Sequence, residues 1–244
     1  MLQPIILWGS PPTDLTLSSN EVHVWGACLD QPASDVQYME TLSADERVRA
    51  ERFYFERDRK RFIVGRGLLR TILGRYLDIK PSRLQFRYQS HGKPVLAEFG
   101  AGKLHFNLSH SQGLALYAVT REQEIGIDIE QVRHIPEADE IVKRFFSARE
   151  NAVFKALPAN QKPQAFFNCW TRKEAYLKAI GDGLACPLDR VEVSLTPGEP
   201  ARLSSIADPS LDHWTLQELT PACSYVGALA VQGQNWSLSC WQWC

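Results

Sequence analysis

The sequence contains no run approaching the ~18 apolar residues of a membrane-spanning helix, so no membrane span is expected. Its first residues lack a basic start and a long apolar stretch, so no secretory leader is expected. The six cysteines (Cys28, Cys169, Cys186, Cys223, Cys240 and Cys244) form no Cys-x-x-Cys pair, and their spacing fits no zinc module. These absences point to reduced thiols in a cytoplasmic protein. The formal net charge is only −1, so no global field draws the chain to nucleic acid or membrane. There is no Gly-x-x-x-x-Gly-Lys-Ser/Thr loop, which leaves a P-loop enzyme unsupported.

What is present suffices for a large core: 244 residues, 44% of them hydrophobic, make one large domain or two small ones. Residues 21–29 alternate and read as a strand. Ser43 and Glu46 form a capping box ahead of a helical region over 44–76, broken near 53–57. Strands are expected at 83–87, 104–108, 114–119 and 124–130, with a turn at 90–94 marked by glycine and proline. Ser147 to Glu150 then repeats the Ser-Ala-x-Glu pattern of Ser43 to Glu46, and a longer helix (164–180) follows as one does at 61–76. Strands at 190–195, 213–219, 225–231 and 236–241 complete the chain. The expected fold is α+β: a pseudo-two-fold pair of similar α/β halves, residues 1–120 and 121–244, each with a small, mainly antiparallel sheet packed on a long helix.

Two stretches carry chemistry. In the 124–130 strand, Ile125, Ile127 and Ile129 take one face, and Gly126, Asp128 and Glu130 take the other. Asp128 and Glu130 therefore sit side by side, where they repel unless a cation separates them. An acidic pair also suits a solvated edge, but three isoleucines and a glycine mark this strand as central. In the 164–180 helix, Trp170, Glu174 and Lys178 form one stripe. Glu174 and Lys178 alone would read as a surface ion pair; the indole on their stripe turns that face inward. Three carboxylates and a lysine suggest a magnesium site handling phosphate. Asn107 to His110 follows a strand, where His110 can meet a phosphate or serve the structure, and Lys93 sits on a rigid turn. Ten Lys/Arg between Arg47 and Arg75 offer either a nucleic-acid face or a pocket for one phosphorylated ligand. No stacking aromatics are interleaved, and a nucleic-acid partner is not expected.

In order, Gly92-Lys93-Pro94, the stretch Phe106 to Ser111, Gly126-x-Asp128-x-Glu130, Phe145-Phe146-Ser147-x-x-Glu150 and the stretch Trp170 to Leu184 resemble the 4′-phosphopantetheinyl transferases of the surfactin-synthetase-activating type, over residues 40–190. The resemblance implies that coenzyme A donates its 4′-phosphopantetheine arm to a carrier-protein serine and that adenosine 3′,5′-bisphosphate leaves. It implies that Asp128, Glu130 and Glu174 hold Mg²⁺, with Mn²⁺ as an alternative, and that Lys178 stands against the pyrophosphate. The serine proton would go to Glu174, to a metal-polarised water, or to Glu150. Lys93, Ser109, His110, Arg61, Arg47, Arg49 and Arg87 would bind coenzyme A, with His110 on its 3′-phosphate. The expected partner is an apo acyl carrier protein or a carrier domain of a polyketide or peptide synthetase. Lys143, Arg144 and Phe145 are the expected docking groove, and the enzyme is expected to be a monomer.

Overall fold

A computed structural model describes residues 8–31, 34–89, 92–97, 104–181, 187–204 and 213–243. The first half runs β1 (Glu21–Cys28), α1 (Ser34–Met39), α2 (Ala44–Glu51), α3 (Glu56–Leu77), a 3-10 turn (Pro81–Arg83), β2 (Phe86–Tyr88), β3 (Pro94–Leu96), β4 (His105–Ser111) and β5 (Leu114–Thr120). The second half repeats this order: β6 (Ile125–Gln131), α4 (Ala138–Phe145), α5 (Ala148–Ala156), α6 (Lys162–Ile180), a 3-10 turn (Leu188–Arg190), β7 (Glu192–Val193), β8 (Leu203–Ser204), β9 (Trp214–Leu219) and β10 (Tyr225–Gln232). One further strand follows, β11 (Ser237–Trp243).

Strand order repeats as well. One sheet contains β1-β5-β4 and the other β6-β10-β9, all antiparallel. The exception is β11, which crosses back and pairs in parallel with β1, Trp241 opposite Trp25. The fold is α+β, in four layers. Buried Ile63, Leu68 and Ile72 of α3 meet Trp25 and Tyr117 of the first sheet. The isoleucine face of β6 meets Val22, Val24 and Leu116, joining the two sheets. Phe166, Ala175 and Ala179 of α6 meet Ala228 and Ala230 on the far side.

Both capping boxes form, and both are anchored from below. The carboxylate of Glu46 accepts from the Ser43 backbone N–H (3.0 Å) and pairs with Arg70 Nε of α3 at 2.6 Å. The carboxylate of Glu150 accepts from the Ser147 N–H (2.7 Å) and pairs with Lys173 Nζ of α6 at 2.7 Å. Arg70 and Lys173 hold the same place relative to the left-handed residues that end their helices, Asp78 (φ 52°) and Gly181 (φ 81°).

The expected break near 53–57 lies between α2 and α3. Residues 109–111, expected beyond a strand end, belong to β4; only Gln112 and Gly113 turn the chain. Their polarity misleads because Ser109 and Ser111 are buried against β6 rather than exposed in a loop. The Gly183–Leu184 end of the last motif lies outside the described residues.

Candidate active site

Gly126 sets the geometry of the site. A Cβ there would lie 2.0 Å from the Ala175 carbonyl oxygen and 2.4 Å from the Ala179 nitrogen. Only glycine lets the backbones of β6 and α6 approach this closely. Residues flanking those contacts, Glu174 and Lys178, are thereby carried over the strand face that bears Asp128 and Glu130.

Asp128 is 5% exposed. Its Oδ1 accepts from Lys178 Nζ (2.6 Å) and Ser109 Oγ (2.7 Å), and Lys178 also donates to Ser109 Oγ (3.0 Å). Asp128 Oδ2 is buried with no protein partner. Glu130 Oε2 accepts from Ser111 Oγ (2.7 Å) and from Arg133 (3.3 Å). Glu174 lies within electrostatic reach of this dyad: burial first, then the charge of Asp128, raises its carboxyl above the usual range, with Glu130 adding to the rise and Lys178 opposing it. Among the described residues, no three His, Cys, Asp or Glu side chains are grouped so as to hold a metal ion. The donor set nevertheless suits a hard cation: oxygen ligands only, one of them an orphaned buried carboxylate oxygen.

Lys178 and Arg61 bring positive charge to the side of the site where His110 stands. His110 reaches the surface, yet crowding by the protein, then Lys178 and Arg61, hold its imidazole below the usual range, against the pull of Glu130 and Asp128. Arg61 is clamped by Asp30 through two 2.7 Å hydrogen bonds, which hold the Asp30 carboxyl low. Gly113 leaves room for that clamp, since a Cβ would lie 2.2 Å from Asp30 Oδ2. Arg49 lies over the Phe62 ring and, with Arg52, Phe53 and Tyr88, lines an open cavity of about 730 Å³.

Other expected site residues stand elsewhere. Glu150 is 3% exposed, and its oxygens are taken by Lys173, the Ser147 N–H and the Val193 N–H (2.8 Å). It anchors α5 on α6 and presents nothing to the dyad. Lys93 donates to the carbonyls of Ala179 (3.2 Å) and Ile125 (3.4 Å), fastening the β2–β3 hairpin to the α6–β6 contact; burial lowers its ammonium pKa, with Glu124 opposing. Arg47 is exposed and donates to the Leu42 carbonyl at 3.2 Å. Arg87 is exposed on β2. Two of the six arginines of α3 are spent inside: Arg66 and Arg70 are buried against Glu46.

Among the described residues, the first half carries no second dyad. Arg75, in the place of Lys178, lies 5.4 Å over the Trp25 indole, and Trp241 and Trp243 of β11 pack on the same ring. Sequence reasoning missed the roles of Ser111, Asn107 and Asp30. The signal for the first two was the period of two in Asn107-x-Ser109-x-Ser111, which matches that of Asp128 and Glu130.

The profile described as the 4′-phosphopantetheinyl transferase superfamily matches residues 124–236, and the profile of the 4′-phosphopantetheinyl transferase N-terminal region matches residues 31–122. The 4′-phosphopantetheinyl transferase HetI of Nostoc sp. is 48% identical over 97% of this chain and 98% of its own length. The chain belongs to the 4′-phosphopantetheinyl transferase family. The transferase Sfp of Bacillus subtilis is 34% identical to it over 70% of this chain and 76% of its own. Among solved structures, a holo-(acyl-carrier-protein) synthase from Bacillus anthracis in complex with coenzyme A (3′,5′-ADP) covers 46% of this transferase and 96% of its own chain, at 23% identity and a TM-score of 0.36.

Proposed function

We propose that this transferase moves the 4′-phosphopantetheine arm of coenzyme A onto a serine of an apo carrier protein in a Mg²⁺-dependent reaction. The observation that carries the reading is the orphaned Asp128 Oδ2, with Lys178 on the other oxygen of the same acid; the charges of Asp128 and Glu130 both act on the Glu174 carboxyl. Asp128, Glu130 and Glu174 would hold Mg²⁺, or Mn²⁺ in its place. The bound ion supplies positive charge to the pyrophosphate oxygens.

The chain's own groups divide the remaining work. Lys178 is a fixed cation for charge that develops on the phosphoryl oxygens. The serine hydroxyl oxygen forms a bond to the β-phosphorus of coenzyme A, the bond from that phosphorus to the bridging oxygen breaks, and adenosine 3′,5′-bisphosphate departs with that oxygen. Glu174 takes the serine proton. Arg61 attracts the nucleotide phosphates, His110 hydrogen-bonds the 3′-phosphate, and Arg49 serves the same ligand from the open cavity. Lys93 supports the site by holding the hairpin in place, and Ser109 by holding Asp128. Arg47 and Arg87 add exposed positive charge at the approach.

The carrier is an acyl carrier protein or a carrier domain of a polyketide or peptide synthetase. Exposed Lys143 and Arg144 in the last turn of α4, with Arg144 over Phe145, fit an acidic helical partner. The chain acts as a monomer of two halves, 1–120 and 121–244, with β11 exchanged into the first sheet. Free thiols at Cys28, Cys169, Cys223 and Cys240 fit a reducing cytoplasm. No helix among the described residues is long and apolar enough to cross a membrane.

The test is mass spectrometry of an apo carrier incubated with the protein, coenzyme A and Mg²⁺. The expected result is a gain of about 340 Da, the mass of the arm delivered by phosphoryl transfer, which disappears with Glu174→Gln. An unmodified carrier across acyl, polyketide and peptide types would overturn the reading.

A further inference from the structure

Strands β4 and β6 are edges of different sheets, yet they lie side by side. Side chains of β4 make the junction. Asn107 Oδ1 accepts from the Ile127 N–H at 2.9 Å, Ser109 Oγ donates to Asp128 Oδ1 at 2.7 Å, and Ser111 Oγ donates to Glu130 Oε2 at 2.7 Å. Ser111 Oγ also accepts from the Gln131 N–H at 3.1 Å. Because side chains on both strands repeat every two residues, one hydroxyl meets each carboxylate.

We propose that Ser111, together with Ser109, is a positioning residue that orients the acidic dyad for its divalent cation. Each hydroxyl donates a charge-assisted hydrogen bond to one carboxylate oxygen and fixes that side chain before the ion arrives. On Asp128 this turns the second oxygen, which has no protein partner, toward the ion. Two like charges on neighbouring positions would otherwise swing apart, and holding them together would have to come out of the binding energy. Ser109 is shared with Lys178, whereas Ser111 serves Glu130 and its own strand junction, so Ser111 isolates the effect. Arg133 reaches the same Glu130 oxygen at 3.3 Å, but from an exposed position where solvent screens it. The inference rests on the divalent-cation reading of the site.

The experiment is a Mn²⁺ titration of the full-length protein, without coenzyme A or carrier, followed by the electron paramagnetic resonance of free Mn²⁺. Loss of a hydrogen-bonding partner behind a metal ligand weakens binding by about 10–100-fold, and that loss is expected for Ser111→Ala. Ser111→Thr, which keeps the hydroxyl, is expected to restore binding. Asn107→Ala loosens the same junction without touching a carboxylate; it is expected to lower Tm and leave Mn²⁺ affinity unchanged. If Ser111→Ala fails to give a cooperative melt, Ser111→Cys takes its place, because a thiol fills the volume but donates weakly. Wild-type protein that binds Mn²⁺ alongside a Ser111 variant of equal affinity overturns the positioning role and leaves the metal reading standing. Wild-type protein that binds no Mn²⁺ overturns the metal reading itself.

Discussion

Replacing Gly126 by alanine probes the contact that assembles the site. The added methyl would lie 2.0 Å from the Ala175 carbonyl oxygen, 2.4 Å from the Ala179 nitrogen and 3.0 Å from the Ala179 Cα. An ordinary contact needs about 3.5 Å, so the backbones must separate by roughly 1.5 Å. No flexible side chain can give way, because all three neighbours are helix backbone. Overpacking of this kind costs about 1–3 kcal/mol, and a purely backbone clash belongs at the top of that range. At about 2–4 °C per kcal/mol for a chain of this size, Tm should fall by about 6–12 °C. The retreating helix also takes Glu174 and Lys178 away from Asp128, opening the 2.6 Å pair. A shift of about 1 Å at reacting groups costs about 10²-fold in rate. Both quantities are measurable: kcat for carrier modification, taken well below the variant's own melting point, and Tm by calorimetry. Gly227→Ala on the adjacent strand is the control, since its methyl would meet its nearest neighbour at a milder 3.1 Å. A Gly126→Ala enzyme with wild-type kcat and wild-type Tm would refute the close-approach argument.

Three further outcomes are expected. His23 is 3% exposed and burial lowers its imidazole to about 4 from 6.5; the unfolded chain therefore takes up its proton first, and stability intact above pH 6.5 is lost as pH falls toward 4, by about 3 kcal/mol at most. Urea unfolding at pH 7 and pH 4.5 should show that loss and His23→Asn should blunt it; an equal loss in both proteins would assign acid lability to other groups. Glu150→Gln strands the buried Lys173 charge and should cost about 3–5 kcal/mol of stability while leaving kcat of the folded enzyme near wild type; a normal Tm with kcat abolished would return Glu150 to catalysis. Reversing charge at Lys143 and Arg144 should raise KM for the carrier and leave KM for coenzyme A alone, and unchanged carrier kinetics would move the docking surface elsewhere.

Periodicity made the main elements of the site legible. The alternation at 125–130 marked a buried strand with two acids on one side, although it is an edge strand covered by β4 and α6 rather than the central strand its isoleucines suggested, and the four-residue stripe of Trp170, Glu174 and Lys178 marked the helix that packs on it. The repeated Ser-Ala-x-Glu pattern announced two similar halves because capping boxes are local and self-contained. Long-range choices were not legible. Nothing in residues 237–243 says that they pair in parallel with β1, at the far end of the chain, rather than with their own half. Glu150 was legible as a helix cap, and the resemblance made it a candidate base; the buried lysine that ties it down, Lys173, was not legible. Ser109 and Ser111 read as loop because local rules equate hydroxyls with solvent, whereas here the partners are carboxylates from another sheet. The arginines of α3 read as one cationic surface, although Arg66 and Arg70 face inward onto Glu46.

The anomalous scattering of Mn²⁺ in crystals of the protein with coenzyme A locates the ion without reference to activity. One peak is expected, bonded to carboxylate oxygens from Asp128, Glu130 and Glu174 together at about 2.1–2.2 Å, close to the ~2.0–2.1 Å of Mg²⁺. A peak held by other groups, or one that Glu174 does not touch, would contradict the three-acid site.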